Sequence, residues 1–410
     1  MAITLLTGLP GSGKSRRLIE LVKIASKEGR AAQTFVCSDY PWPSNHGAFW
    51  NHRTLVCGEP GYTCGIDHFV SREEASAILA RIPAGALAAV EEGYAFTQDA
   101  VNDWRAAASR GVDVVVAAPS GNQLNLLADA DVNEIKLTIT CQRCNDRPAE
   151  EVIVRSDGDG TLSVCHACFD ELADEARATI VRLLREEHPF PGEDALYQPI
   201  GLPEVVGWRL ARWDTGGRAK AVIETLAELG LHPDGLGRSP SYLDVGCNTG
   251  FFCDHMAQHG FRAKGIDATE RFITTARLLE AFFRRQERAS QEWVLFERSN
   301  AYEYLRDTQQ ERFDVTSSFA TIQWVMIQRT PQHGLECIKW LAAKTRHVCI
   351  LELGYTREEM YKNLEVEIDR EWVLWAMREW GGFDDIRVIN AEPEKLQRDL
   401  FIGIKHPGRS

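Results

Sequence analysis

The run Gly8-Leu9-Pro10-Gly11-Ser12-Gly13-Lys14-Ser15 matches G-x-x-x-x-G-K-[ST], and it follows the short apolar segment Ile3–Thr7. That pattern between a strand and a helix is a phosphate cradle. Gly8, Gly11 and Gly13 let backbone N–H groups reach phosphate oxygens without a Cβ clash, and Ser12 sits among them. The helix that follows adds its positive dipole end. Lys14 is placed for the β/γ-phosphates and Ser15 for Mg²⁺, so the expected ligand is ATP with magnesium. Such a cradle needs a carboxylate at the end of a neighbouring strand. The apolar run Ala86–Val90 leads into Glu91-Glu92-Gly93. Glu91 is the candidate magnesium ligand, and Glu92 the candidate base for an acceptor hydroxyl.

A second chemistry lies in the cysteines. Of eleven, four form two pairs, Cys141-x2-Cys144 and Cys165-x2-Cys168, enclosing the 20 residues 145–164. That spacing suits a tetrahedral zinc site. All four ligands come from protein, so the metal is expected to be structural. The odd total, with no export signal at the N-terminus, argues against a disulfide framework and for a reducing cytoplasm.

A third element is Tyr242-Leu243-Asp244-Val245-Gly246-Cys247-Asn248-Thr249-Gly250, a strand running into a glycine turn. Ala263–Ile266 and Asp267 follow about 20 residues later, where a carboxylate can accept both hydroxyls of a ribose. The turn is not G-x-G-x-x-G, which argues against a dinucleotide-binding domain.

P-loop, carboxylate pair and Cys₄ loop in this order resemble the type II thymidine kinase family over about residues 1–170. Glu91-Glu92-Gly93-Tyr94-Ala95-Phe96 stands where that family has Asp-Glu-(Gly/Ala)-Gln-Phe-Phe, so Glu92 matches its catalytic glutamate. The resemblance implies that the loop between the cysteine pairs is a lasso closing over a nucleoside base. Three departures stand out: Glu91 for aspartate, Ala95 for an aromatic, and a short acidic loop at Asp157–Gly160. They predict that phosphoryl transfer is retained and leave thymidine as acceptor open. The insert Tyr40–Gly65, rich in aromatics and prolines, either recognises a different acceptor or covers the sheet edge.

Residues 200–410 resemble class I S-adenosylmethionine methyltransferases. Asp244, Gly246, Cys247, Asn248 and Gly250 match the first motif of that family, beside the methionine part of the donor. Asp267 and Ala268 end its second strand, and Asn300-Ala301 fall where the family contacts adenine. After the fourth strand the chain reads Ser317-Ser318-Phe319-Ala320-Thr321-Ile322-Gln323-Trp324, without N/D-P-P-Y, Pro-Cys or Glu-x-x-His-His. O-methylation, or N-methylation of a small molecule, remains. Arg53, Arg209 and Arg212 are candidate substrate contacts. The stretch Gly207–Lys220 interleaves arginine with tryptophan, so it either clamps a phosphate or forms a solvated amphipathic helix.

The elements that must position these residues follow the hydrophobic pattern. Strands are expected at Ile3–Thr7, Ala31–Cys37, Ala86–Val90 and Val114–Ala118, with a helix from Ser15 to Lys27. A helix over Phe169–Glu187 ends at His188–Asp194, where two prolines forbid its continuation. The alternation restarts with a helix over Arg218–Leu229 and seven strands: Tyr242–Val245, Ala263–Ile266, Trp293–Glu297, Asp314–Ser318, His347–Leu351, Asp385–Ile389 and Leu400–Ile404. The expected fold is α/β in two domains. Residues 1–188 form a P-loop kinase domain with a zinc subdomain at 137–170, and residues 189–410 a seven-stranded Rossmann-like methyltransferase domain.

Composition is ordinary for a globular chain: 44% hydrophobic, 26% charged, and a net charge of −13. That balance does not favour nucleic acid as a partner. No run of ~18 apolar residues exists, so no membrane-spanning helix is expected. The reading is a bifunctional enzyme, an ATP-dependent kinase fused to a methyltransferase. It acts consecutively on a small-molecule or glycan acceptor and methylates the new phosphate. Two alternatives stay open: a nucleoside or nucleotide kinase joined to an O- or N-methyltransferase, and a nucleotide-binding regulatory module on a small-molecule methyltransferase. Self-association through the kinase half is a further partner expectation.

Overall fold

The computed structural model describes residues 3–7, 12, 14–37, 54–56, 63–91, 98–118, 132–154, 161–186, 194–212, 214–284, 294–308, 310–356, 358, 361, 364–389 and 398–406. Contacts divide the chain into two compact units, the first running to Leu172 and the second from Ala173 onward. The division falls inside the helix His166–Arg185. Most of the expected boundary, residues 187–193, lies outside the described residues.

The first unit is built on a six-stranded parallel sheet. Its strands are β1 (Ile3–Thr7), β2 (Ala32–Cys37), β3 (His68–Val70), β4 (Leu87–Val90), β5 (Asp113–Ala117) and β6 (Val132–Lys136). Their order is β3-β2-β4-β5-β1-β6. Successive side chains of a strand point to opposite faces. Ala88, Val90, Val114 and Val116 accordingly join Ile3, Phe35 and Trp104 on one side. Leu87, Ala89, Val115 and Ala117 join Leu6, Leu18 and Ile19 on the other. Both faces being apolar is why these strands read as unbroken hydrophobic runs.

A small antiparallel hairpin follows, β7 (Glu151–Val154) with β8 (Thr161–Val164), registered Leu162 to Ile153. It occupies most of the stretch between the cysteine pairs. The acidic tip at residues 155–160 lies outside the described residues.

Among the described residues the large sheet of the second unit has seven strands, as its sequence predicts. They are β9 (Ser241–Val245), β10 (Arg262–Asp267), β11 (Leu295–Arg298), β12 (Phe313–Phe319), β13 (Thr345–Glu352), β14 (Asp385–Ile389) and β15 (Leu400–Ile404). The order is β11-β10-β9-β12-β13-β15-β14, and β15 is antiparallel to both its neighbours. β9 and β12 are buried along their whole length. The chain steps outward from β9 to β11 and then returns to the other side of β9. This makes the C-terminal ends of β9 and β12 the switch point, where ligands bind in open α/β sheets.

Candidate functional sites

In the first unit the helix Lys14–Lys27 begins with Lys14, Arg16 and Arg17 and has no acidic residue in its first turn. Cations at a helix start oppose the dipole and weaken an isolated helix, but they suit a polyphosphate. Arg16 and Arg17 lean onto Glu20, at 3.3 and 3.1 Å, while Lys14 is buried. The Ser15 hydroxyl donates to the Glu91 carboxylate, itself buried at the end of β4. The Ser12 hydroxyl is buried without a hydrogen-bond partner among the described residues. One detail differs from the sequence expectation: β5 lies between β1 and β4, so Glu91 reaches Ser15 across one intervening strand. Gly8, Gly11, Gly13, Arg53 and Glu92 lie outside the described residues.

The sulfur atoms of Cys141, Cys144, Cys165 and Cys168 all lie within 4.8 Å of one another. Cys144 and Cys165 are 3.9 Å apart. A regular tetrahedron with zinc–sulfur arms of about 2.3 Å has edges of about 3.8 Å, so the cluster fits the metal. Cys141 and Cys144 lie in a tight turn closed by Asn145, whose N–H donates to the Cys141 carbonyl at 2.9 Å and whose φ is a left-handed 56°. Cys165 closes β8, and Cys168 lies in the first turn of the next helix. Burial opposes ionisation of Cys141, but backbone N–H groups of Cys144, Cys165 and Arg143 aimed at its sulfur hold its pKa down to about 6. N–H groups of Arg147 and Asp146 lower Cys144 likewise. These donors favour the thiolate at Cys141 and Cys144, the form a metal requires, whereas burial and the neighbouring sulfurs push Cys168 up to about 12.

In the second unit the glycine turn follows β9. Gly246 has φ 84°, and a Cβ there would stand 1.8 Å from the Thr321 hydroxyl oxygen. Gly250 has φ 80°, and a Cβ would strike the Phe296 ring. The backbone is thus pressed against Thr321, just past β12, and against Phe296 of β11, and Asn248 also turns left-handed, at φ 54°. Asp267, at the end of β10, accepts from the N–H of Asn248 at 3.1 Å and from that of Thr269 at 2.8 Å. Asp244 is buried and accepts from the Ser317 hydroxyl at 2.8 Å. Burial raises its pKa to about 7, against the pull of Ser317, with Asp267 adding to the rise. Burial also raises Asp267. The buried Thr249 hydroxyl has no partner among the described residues. Two carboxylates and a spare hydroxyl beside a glycine turn fit a cationic donor carrying a ribose.

Other expected residues take plainer roles. Asn300 caps the helix Ala301–Asp307, its side-chain oxygen accepting from Tyr302 N–H at 3.0 Å. Only its NH₂ is left over for a base. Cys247 is fully buried, while Ala268 is exposed. Of the stretch Gly207–Lys220, read as a phosphate clamp or an amphipathic helix, only the part from Thr215 is helical, and Arg209–Leu210 is a two-residue strand pairing Ala195–Leu196. Arg209 is exposed. Arg212 forks onto Asp214, with both bonds at 3.0 Å, and donates to Glu352 at 3.1 Å.

Residues 215–384 match the family model of a methyltransferase domain. The second unit therefore carries a methyltransferase domain, and its sheet is the Rossmann-like one that such domains share. Among solved structures, the bifunctional kinase–methyltransferase WbdD is 22% identical over 55% of this chain, with a TM-score of 0.42 to 0.43. The chain spans about half the length of WbdD, 48% in the monomeric crystal structure. Magnesium protoporphyrin IX methyltransferase (ChlM) from Synechocystis PCC 6803, solved with bound SAM, is 15% identical over 58% of this chain and 96% of its own, with a TM-score of 0.37. No curated protein sequence matches the chain. Among the described residues no helix is long and apolar enough to cross a membrane.

Proposed function

We propose that the chain is an ATP-dependent kinase joined to an S-adenosylmethionine-dependent methyltransferase, phosphorylating an acceptor hydroxyl and then methylating that phosphate. The observation that carries the kinase half is the Ser15–Glu91 contact at a helix start crowded with cations. In a P-loop enzyme these two groups hold Mg²⁺, directly and through water. ATP supplies the phosphoryl group. Lys14 and the backbone of the cradle bind its phosphates, and Glu92 accepts the proton of the attacking hydroxyl. The four cysteines hold zinc and fix the hairpin.

S-adenosylmethionine supplies the methyl group. Asp267 would accept the ribose hydroxyls, Gly246 and Gly250 would let the turn pass close to the donor, and Asp244 would face its positive charge. A phosphate oxygen is already anionic at neutral pH, so methylating it needs alignment and no general base. The deciding experiment combines labelled ATP, labelled methyl donor and a panel of sugars, nucleosides and short glycans. The expected product shows a methyl–phosphorus coupling and forms only with ATP. A methyl group on carbon-bound oxygen or on nitrogen, incorporated at equal rate without ATP, would favour the nucleoside-kinase alternative.

The donor site also predicts a pH dependence. With its pKa raised to about 7, Asp244 carries a proton on the acid side of that value and loses it when a cation arrives. S-adenosylmethionine affinity should therefore fall about fivefold as pH drops from 7 to 6, with proton release on binding. Titration calorimetry in two buffers of different ionisation heat measures both. A constant affinity between pH 8 and 6 would remove Asp244 from the donor's electrostatic partners.

A further inference from the structure

At the C-terminal ends of β12 and β13 three arginines meet three carboxylates, brought together from positions 212 to 398. Glu352, fully buried at the end of β13, is the hub. Its Oε1 accepts from Arg212 at 3.1 Å and Arg398 at 3.3 Å, and its Oε2 contacts Arg218. Asp214 holds Arg212 in a fork and stands 3.7 Å from Arg218. Arg218 lies over the rings of Phe252, just past the glycine turn, and Phe319, the last residue of β12. The cluster thus begins beside the donor loop.

Its outer member differs. Glu358 grips Arg398 with two parallel bonds, 2.7 Å at Nε and 2.5 Å at Nη2, on the partly exposed rim. Arg398 Nη2 also reaches the Tyr361 hydroxyl at 3.3 Å. That hydroxyl accepts from Gln323 Nε2 at 3.2 Å. Gln323 is wholly buried, and its other terminal atom has no partner among the described residues; nor has the buried Ser318 hydroxyl nearby in sequence on β12. Trp324 packs edge-on to Tyr361, and Trp324 and Tyr197 each remain 42% exposed. The Tyr197 phenol hydrogen-bonds Arg212.

We propose that this rim is the subsite for the acceptor's phosphate, and that Glu358 occupies it as a carboxylate stand-in until a phosphomonoester displaces it. A guanidinium fork binds carboxylate and phosphate with the same two-bond geometry. With Glu358 moved away, three guanidiniums face two carboxylates, an excess of one positive charge. The Tyr361 hydroxyl, which accepts from Gln323 and Arg398, keeps its own proton to donate to the phosphate. The exposed rings of Tyr197 and Trp324 suit the apolar face of a sugar, so the substrate class is a sugar phosphate. This rests on the methyl-phosphate reading above. It adds a prediction of opposite signs, because losing Glu358 frees the fork while losing Arg398 removes it. An ion pair that merely stabilised the fold would give neither change in phosphate affinity.

The test titrates the full chain, saturated with S-adenosylhomocysteine, with inorganic phosphate and with glucose 6-phosphate, using glucose as control. Glu358→Ala should bind both phosphates at least fivefold more tightly than the wild type. Arg398→Gln should bind them at least tenfold more weakly, and glucose alone should not compete. If Arg398→Gln does not fold, Tyr361→Phe, which removes one hydroxyl, should still weaken phosphate binding severalfold. Unchanged phosphate affinity in Glu358→Ala, or weakening as large as in Arg398→Gln, overturns the inference. Failure of the wild type to bind S-adenosylhomocysteine would instead defeat the methyltransferase reading beneath it.

Discussion

Chelating the metal should unfold the cysteine-bearing hairpin while leaving methyl-donor binding in residues 200–410 intact. The purified chain is expected to hold about one zinc. Cys141→Ser and Cys168→Ser should lose it, since each removes one of four sulfurs that lie within 4.8 Å of one another. The hairpin has few other means of support. β7 and β8 contribute four residues each, of which Ile153, Ser163 and Val164 are buried among the described side chains. A two-stranded hairpin is marginal in water, and a structural zinc supplies about 10–16 kcal/mol of apparent binding energy in small metal-dependent folds. The loss should appear as metal release, by elemental analysis, together with a lowered or vanished low-temperature unfolding transition. S-adenosylhomocysteine titration of the same sample should be unchanged. A metal-free chain that keeps the full first transition would show that the cysteines pack as thiols and that the zinc assignment is wrong.

How much of this was legible in the sequence depends on the distance over which each feature is encoded. The cysteine spacing, the P-loop and the glycine turn are local, and the structure brings the described members of each together. All seven strands of the second unit's large sheet were readable because β9 and β12 to β15 are runs of apolar or β-branched residues between clear breaks, whereas the two-residue strands Ala195–Leu196 and Arg209–Leu210 were missed. In the first unit β3 and β6 were missed, and both are edge strands. His68-Phe69-Val70 is three residues long, and Val132-Asn133-Glu134-Ile135-Lys136 interrupts its apolar residues with amide and charge, as an edge exposed on one side permits. The helix at residue 215 begins three residues earlier than its pattern suggested, because Gly216 and Gly217 are poor helix formers that tertiary packing overrides. The arginine–carboxylate cluster had no local signature at all: Arg212 and Glu352 are 140 positions apart. Sequence reading noticed Arg212 as a cation near tryptophans and could not see the two carboxylates that already neutralise it.

The largest expected effect is a dependence of one activity on the other's site. On the proposed reading Lys14→Ala should abolish phosphoryl transfer, because the buried lysine at the helix start would be the point charge for the β/γ-phosphates. If the second unit methylates the phosphate that the first installs, Lys14→Ala should also be methylation-dead on an unphosphorylated acceptor. The same protein should methylate a pre-phosphorylated acceptor at the wild-type rate. Glu92→Gln should copy this behaviour while still binding ATP, since on the proposed reading the carboxylate would act on the acceptor's proton and not on the nucleotide. Asp267→Ala should do the reverse, sparing phosphoryl transfer and losing the methyl donor, because its carboxylate both anchors the turn at Asn248 and is the group placed for the ribose. Labelled-phosphate and labelled-methyl assays on the three variants separate the outcomes. A Lys14→Ala protein that methylates the unphosphorylated acceptor at full rate would mean that the two units act on different groups, and that their fusion does not encode an order of chemistry.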